Sequence, residues 1–345
     1  MLPSIWLRLL PSFGCLVLLV LPLLVGARLA PSAASEVPVA QISRQPFRPL
    51  SAPRDLDPRK IALGEALFAD PILSSKRRLS CSSCHDLKSG GTIHLARTVG
   101  YEGRRHRFNA PSIFNVAENY RLGWRGEFAT LQQENEKALL DPNLMATSWQ
   151  VVIGRLRADR TYFGMFAEAF RRPPDRLAVL DALSTYQRSL VTPNSDFDRY
   201  LNGDTSALND EQLRGYQLFR DYGCASCHQG VNLGGNMLQK FGIYAPAPAT
   251  KPEHDVDSER TGVIEPPEKA GMFRVPSLRN VAVTAPYFHD GRTDSLSEAV
   301  TIMGESQLGK TLNQADVRSL VAFLTTLTGE YDGKKLEAGP MSNAR

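Results

Sequence analysis

Apolar residues along the chain recur at helical spacing. Ile61, Leu63, Ala66, Leu67 and Phe68 form one stripe, closed by Asp70-Pro71. A second helix is predicted over 131–140, stopped by Asp141-Pro142, and one or two more over 149–169. Pro173-Pro174 interrupts the pattern. Asp175 to Ser189 resumes it with Leu177, Val179, Leu180, Leu183 and Tyr186. Asn209-Asp210 is a helix cap ahead of Leu213, Tyr216, Leu218 and Phe219. Leu296 to Met303 and Ala315 to Leu327 complete the set, the last with Val317, Leu320, Val321, Leu324 and Leu327 on one face. No stretch alternates apolar and polar residues as a half-buried strand would. The predicted class is all-α, in two halves joined near Asn202-Gly203-Asp204.

The remaining stretches read differently. In residues 1–34, Arg8 precedes an apolar run from Gly14 to Val25, and Ala27, Ala30, Ala33 and Ala34 offer cleavage positions. This is an export signal or, as the alternative, an uncleaved N-terminal anchor; a membrane span usually needs ~20 apolar residues. Either places the folded part outside the cytoplasm, in the periplasm. Residues 35–57, rich in Pro and Arg, read as an extended surface arm. Gly90-Gly91 opens a loop that runs to His106, and Gly234-Gly235 opens another that runs to Pro267. The predicted domains are 58–202 and 203–333, with a tail over 334–345.

A chain of 345 residues exceeds the usual single domain, which agrees with two. The formal charge of +4 includes Arg8 and Arg28; without these two it is +2. That balance gives no indication of a nucleic-acid partner. The short basic runs Lys76-Arg77-Arg78 and Arg104-Arg105-His106-Arg107 are solvated surface or holders of carboxylates.

The chemistry lies in Cys81-Ser82-Ser83-Cys84-His85 and its repeat Cys224-Ala225-Ser226-Cys227-His228. C-x-x-C-H is an attachment site for a c-type haem. Two thiols add across the two vinyl groups of one porphyrin, and the adjacent imidazole turns under the iron. A zinc site would want four protein ligands, and a redox pair has no use for the trailing His. Four of the five cysteines sit in the pentads and Cys15 lies in the leader, so none remains for a disulfide in the folded part. The order of helix, then pentad, occurs twice, as in a tandem of related modules.

With these motifs the chain resembles the bacterial di-haem cytochrome c peroxidases, including the MauG-type enzymes, over about residues 61–330. The likeness rests on Leu67-Phe68-Ala69-Asp70-Pro71, Asn109-Ala110-Pro111-Ser112, Trp124, Phe273-Arg274-Val275-Pro276-Ser277-Leu278-Arg279-Asn280 and Thr284-Ala285-Pro286-Tyr287-Phe288-His289-Asp290-Gly291. It implies two class I cytochrome c-like domains, each with one covalent haem c. The first would be peroxidatic. The second would receive electrons from a small c-type cytochrome or cupredoxin, with hydrogen peroxide as oxidant. It implies Met303 as the thioether ligand opposite His228, which would raise the potential and close that iron. It implies Trp124 as an electron bridge, and calcium held by Asn109 and the carbonyls of Thr284 and Pro286. A homodimer is compatible with it.

Two positions depart from the family pattern. The removable distal histidine falls on Tyr101, leaving the first iron open or ligated by tyrosinate, with His94 and His106 as further loop candidates. The distal glutamate that shuttles protons falls on Leu144, which carries no proton. The nearby distal glutamine falls on Glu134, which is either the displaced acid/base or a charge on a solvated helix face beside Glu136 and Lys137. The leading expectation is peroxide reduction to water. The alternatives are a MauG-like oxidase acting on a partner protein, against which Met303 argues because that enzyme uses tyrosine there, and a non-enzymatic electron conduit.

Overall fold

The computed structural model describes residues 46–53, 55–246 and 271–339. The predicted leader, the first part of the arm, much of the second loop and the end of the tail lie outside them. The described residues hold helices α1 (Pro58–Ala69), α2 (Leu131–Leu140), α3 (Trp149–Ala158), α4 (Arg160–Phe170), α5 (Arg176–Ser189), α6 (Asp196–Leu201), α7 (Asp210–Asp221), α8 (Leu296–Leu308) and α9 (Gln314–Thr325). The starts are chemically marked. Thr130, Ser148, Asp159, Asp175, Asn209, Ser295 and Asn313 each accept a first-turn N–H of the helix they precede. A cap of this kind stabilises a helix by about 1 kcal/mol.

The helices gather round two apolar cores. Leu63, Leu67, Phe166, Leu156 and Leu183 centre the first, and Phe197, Leu320, Phe323 and Leu327 the second. In each core one glycine lets two helices touch. A Cβ on Gly64 of α1 would lie 2.2 Å from the Ala182 carbonyl oxygen of α5, and one on Gly215 of α7 would lie 1.8 Å from that of Ser319 on α9. Both crossings set a helix just before a Cys pentad.

Three expectations need correction. The fold is helix-rich but has strands: β1 (Leu238–Lys240) pairs antiparallel with β2 (Met272–Arg274), and β3 (Glu330–Tyr331) with β4 (Lys334–Lys335). They are too short for alternation to register as a pattern. The second hairpin crosses the expected 333/334 boundary, and Tyr331 and Leu336 pack on the first core. α6, placed before the expected linker, packs its Phe197 into the second core. The arm is no mere surface segment either. Phe47 is buried in the second core and bridges Gly230. Leu50 N donates to Asp198, which also accepts from Ser195 and pairs with Arg279 at 2.8 Å, the Asp198 and Arg279 side chains both being buried.

Candidate functional site

Both pentads fold into the same turn. Cys81–Ser83 is a single 3-10 turn in which Cys84 N and His85 N reach the Cys81 carbonyl at 3.1 and 3.0 Å. Cys224–Ser226 repeats it, with Cys227 N and His228 N at 3.2 and 2.9 Å from the Cys224 carbonyl. In each half a Phe from the preceding helix stands beside the His: Phe68 is 6.4 Å from His85 and Phe219 is 6.4 Å from His228, ring to ring.

None of the four cysteines forms a disulfide. Burial pushes the Cys81 thiol up to about 12 and those of Cys84 and Cys224 up to about 11. Thiols held protonated are poor redox nucleophiles. Among the described residues no group of three or more His, Cys, Asp or Glu could hold a bare metal ion. Burial lowers both histidines, His228 to about 4, so each imidazole is neutral and keeps a lone pair. His228 Nδ1 faces the Leu233 carbonyl at 3.2 Å, which leaves Nε2 available to a metal. His85 Nδ1 is buried without a hydrogen-bond partner.

A cavity of about 290 Å³ opens beside the second pentad. Cys224, Cys227, His228 and Met303 line it together with apolar Leu320 and Leu324. It extends to Asn109 and Trp124 of the first half. The Trp124 indole N–H donates to the Asn109 carbonyl at 3.1 Å, and its ring lies 6.3 Å from that of His289. His289 stacks on Phe273 at 4.0 Å. Burial pushes it down to about 4, against the pull of Asp290.

Glu134 is half-buried rather than fully solvated. Its carboxylate accepts the Gly123 N–H at 3.1 Å. Burial raises its pKa, while Arg274 and the Gly123 amide oppose the rise. Arg274 is itself buried, with Nε donating to the Gly123 carbonyl at 3.1 Å. Leu144 brings only its backbone, its carbonyl accepting Tyr101 N at 3.0 Å. The Tyr101 ring lies under the Lys76 ammonium at 5.7 Å. His94 is buried and committed at both ring nitrogens, Nε2 to Ser89 Oγ at 2.6 Å and Nδ1 to the Ala285 carbonyl at 2.5 Å, so it is no loop ligand. His106 Nδ1 meets the Phe108 amide at 3.3 Å. Asn109 Nδ2 donates to the carbonyls of Pro286 and Phe288 at 3.1 and 2.8 Å, and its Oδ1 is buried without a partner.

The family model for di-haem cytochrome c peroxidase matches residues 58–206. The cytochrome c551 peroxidase of Nitrosomonas europaea is 34% identical over 304 residues, which cover 87% of this chain and 89% of that protein. The methylamine utilization protein MauG of Methylorubrum extorquens is 32% identical over 325 residues, covering 88% and 89%. The chain belongs to the di-haem cytochrome c peroxidase family. A crystal structure of a MauG-like protein associated with microbial copper homeostasis superposes with a TM-score of 0.70 at 30% identity, over 82% of this chain and 93% of that one. The chain is thus a di-haem peroxidase-like oxidoreductase.

In this peroxidase-family chain the tandem expected from the pentads extends into a repeat at fixed spacing that motif reading did not reach. Pro111-Ser112 corresponds to Pro276-Ser277, and Asn115-Val116 to Asn280-Val281, both asparagines being left-handed with φ of 58° and 63°. The two asparagine side chains converge on the Thr192 hydroxyl at 2.8 and 3.0 Å. At the same spacing, the Leu122 to Phe128 bridge corresponds to the Tyr287 to Thr293 bridge. Gly123 and Phe288 share positive φ, Trp124 answers to His289, and Gly126 to Gly291. Thr130 and Ser295 cap α2 and α8. Carried two turns further, the same spacing sets Ala138 opposite Met303. Chain-internal comparison at fixed spacing was the signal that would have found Ala138 and His289. The residues fit a haem in both halves: paired half-buried thiols, neutral half-buried imidazoles, and on the second side an apolar cavity with a thioether.

Proposed function

We propose that this protein is an exported di-haem c-type cytochrome that reduces hydrogen peroxide to water with electrons from a small donor protein. Cys81, Cys84 and His85 would hold one haem c, and Cys224, Cys227 and His228 the other. Bound there, the two irons would supply one-electron redox chemistry and the point where peroxide is reduced. The observation that carries the reading is the asymmetry between the repeats. His228 and Met303 line one cavity, whereas the position answering to Met303 in the first half is Ala138, which has no ligand atom. With haem bound, Met303 would close the second site and suit it to passing electrons, while the first would keep a face for substrate.

Trp124, at the border of the second cavity and bonded to Asn109, would carry electrons between the halves. Peroxide cleavage needs a group that takes a proton from one oxygen and returns it to the other. Glu134 would serve, because its enclosed carboxylate is held above the ordinary range and so exchanges protons nearer neutrality. Leu144 cannot. Turning over the Asn109 amide would set Oδ1 against the Pro286 carbonyl, an arrangement an oxygen-seeking cation such as Ca²⁺ could use with the Thr284 carbonyl. The leader predicted over residues 1–34 would deliver the chain to the periplasm, where a small c-type cytochrome or cupredoxin would reach the second site.

Leu144 favours two other readings, a MauG-like oxidase acting on a partner protein and a plain electron conduit. Steady-state oxidation of a reduced small c-type cytochrome by peroxide tests all three. Rapid turnover supports the peroxidase, peroxide consumption without donor oxidation supports the oxidase, and no reaction leaves the conduit.

A further inference from the structure

Tyr186 of α5 lies behind the first pentad. Its ring meets Phe68 edge-on at 5.4 Å, and Phe68 stands 6.4 Å from His85. The close crossing at Gly64, where a Cβ would come within 2.6 Å of Tyr186 Cβ, holds Tyr186 against α1. Tyr331 packs on the apolar cluster that holds Tyr186, and the two phenols affect each other's protons beneath a larger upward effect of burial on both. Tyr331 is half-buried on the β3–β4 hairpin, its ring 4.9 Å from Phe114. The hairpin turns at Asp332-Gly333, both at positive φ, the sequence such tight turns favour. Exposed Glu65 and Asp332 lie close enough to hold the protons of both phenols more tightly.

The repeat supplies an internal control. Around Gly215 the place of Tyr186 is filled by Phe323, whose Cβ a Gly215 Cβ would approach to 2.9 Å, and which packs on Phe219 at 5.2 Å. A phenyl ring satisfies the packing there. The half with the sulfur-sealed site has a ring that cannot be oxidised at this position; the half with the open site has a phenol, and behind it a second phenol reaching the surface.

We propose that Phe68, Tyr186 and Tyr331 form a relay that carries oxidising equivalents from the first pentad to the surface, where Tyr331 oxidises small uncharged phenols by one electron. This rests on the reading that the first site reduces peroxide. Reducing one H₂O₂ to two H₂O draws two electrons and two protons. Tyr331 gives one electron inward, through Tyr186 and across Phe68, and one proton outward to water or the Asp332 carboxylate. A phenol at the surface then returns one electron and one proton to Tyr331 and leaves as a phenoxyl radical. Two such events balance one peroxide. Around the hairpin Glu65, Glu330 and Asp332 outnumber exposed Lys334 and Lys335, and that negative balance disfavours anionic reductants.

The test uses the full haem-loaded chain mixed with stoichiometric peroxide and frozen for EPR, with guaiacol oxidation measured in parallel and ferrocyanide as the anionic probe. The expected result is a tyrosyl signal in the wild type that is lost in Tyr331→Phe, with guaiacol oxidation lost in Tyr331→Phe and in Tyr186→Phe. Tyr331→Trp, which restores an oxidisable ring, recovers it. Both Phe variants keep their rings, and a melting curve checks that they fold. An unchanged signal and unchanged guaiacol rate in Tyr331→Phe, or ferrocyanide used as well as guaiacol, overturns the relay while peroxide reduction stands. A wild type that does not consume peroxide overturns both.

Discussion

Replacing Glu134 by Gln separates its proposed chemistry from its structural role. Gln keeps the shape and can still accept the Gly123 N–H that Glu134 now holds at 3.1 Å. It removes the negative charge facing buried Arg274 and also the cost of enclosing a carboxylate. The net pKa shift is upward with burial as its largest cause, so enclosure outweighs the attraction to Arg274. The sign for stability follows from linkage. A carboxyl raised on folding stabilises fully below its unfolded pKa, and that contribution is lost as pH rises through the folded one. Glu134→Gln should therefore fold, show no loss of thermal stability at neutral pH, and flatten the decline of stability above the usual carboxylate range. Its turnover with peroxide should fall by about 10²–10⁴-fold, the usual worth of a positioned proton-transfer group, which is about 3–5 kcal/mol of barrier. In the wild type the acid limb of the pH–rate profile should lie above the ordinary glutamate range, and it should vanish in the variant. Stopped-flow loss of peroxide across pH reads both. Unchanged turnover, or an acid limb that survives the substitution, refutes the assignment.

Other changes probe the scaffold and the asymmetry of the sites. Asp198→Ala strands Arg279 in the second core and frees Leu50 N, so denaturant titration should show a loss of about 3–5 kcal/mol; a loss no larger than that from breaking the exposed Lys76–Glu102 pair would contradict the anchoring of the arm. Gly215→Ala forces a Cβ against the Ser319 carbonyl and should destabilise the second half, whereas Gly154→Ala in α3, where a Cβ meets nothing within 4 Å, should stabilise by about 0.4–1 kcal/mol. Equal effects at the two glycines would deny that close helix approach matters. Met303→Leu should lower the potential of the second centre in a redox titration, and Ala138→Met should cap the first and slow its reaction with peroxide. No change in either would dissolve the proposed correspondence of the two positions.

The helices were legible because core-facing residues such as Leu63, Leu67, Leu180 and Leu183 recur at helical spacing, and because Asp, Asn, Ser and Thr mark the starts. The pentads were legible because C-x-x-C-H is a local pattern whose residues fall within a single turn. What escaped was non-local or very short. Strands of two and three residues leave no periodicity, although Asp332-Gly333 was a hairpin signal in plain view. Nothing beside Phe47 announces that it fills a core built from residues 197–327, and the Arg279–Asp198 pair joins positions no local pattern links. Glu134 resembled one more charge on a polar helix; only the fold brings the Gly123 amide and Arg274 against it. His94 lay on the loop expected to offer ligands, and packing against Ala285 removed it from candidacy.

The central claim is that one site stays open while its partner is sealed by Met303. Optical and EPR spectra of the purified, oxidised protein, taken before and after peroxide and again after half-reduction, address it most directly. The account predicts one low-spin centre that peroxide leaves six-coordinate and one centre that is high-spin, or becomes so on half-reduction, and reacts at once. Two low-spin centres indifferent to peroxide in both states would contradict it.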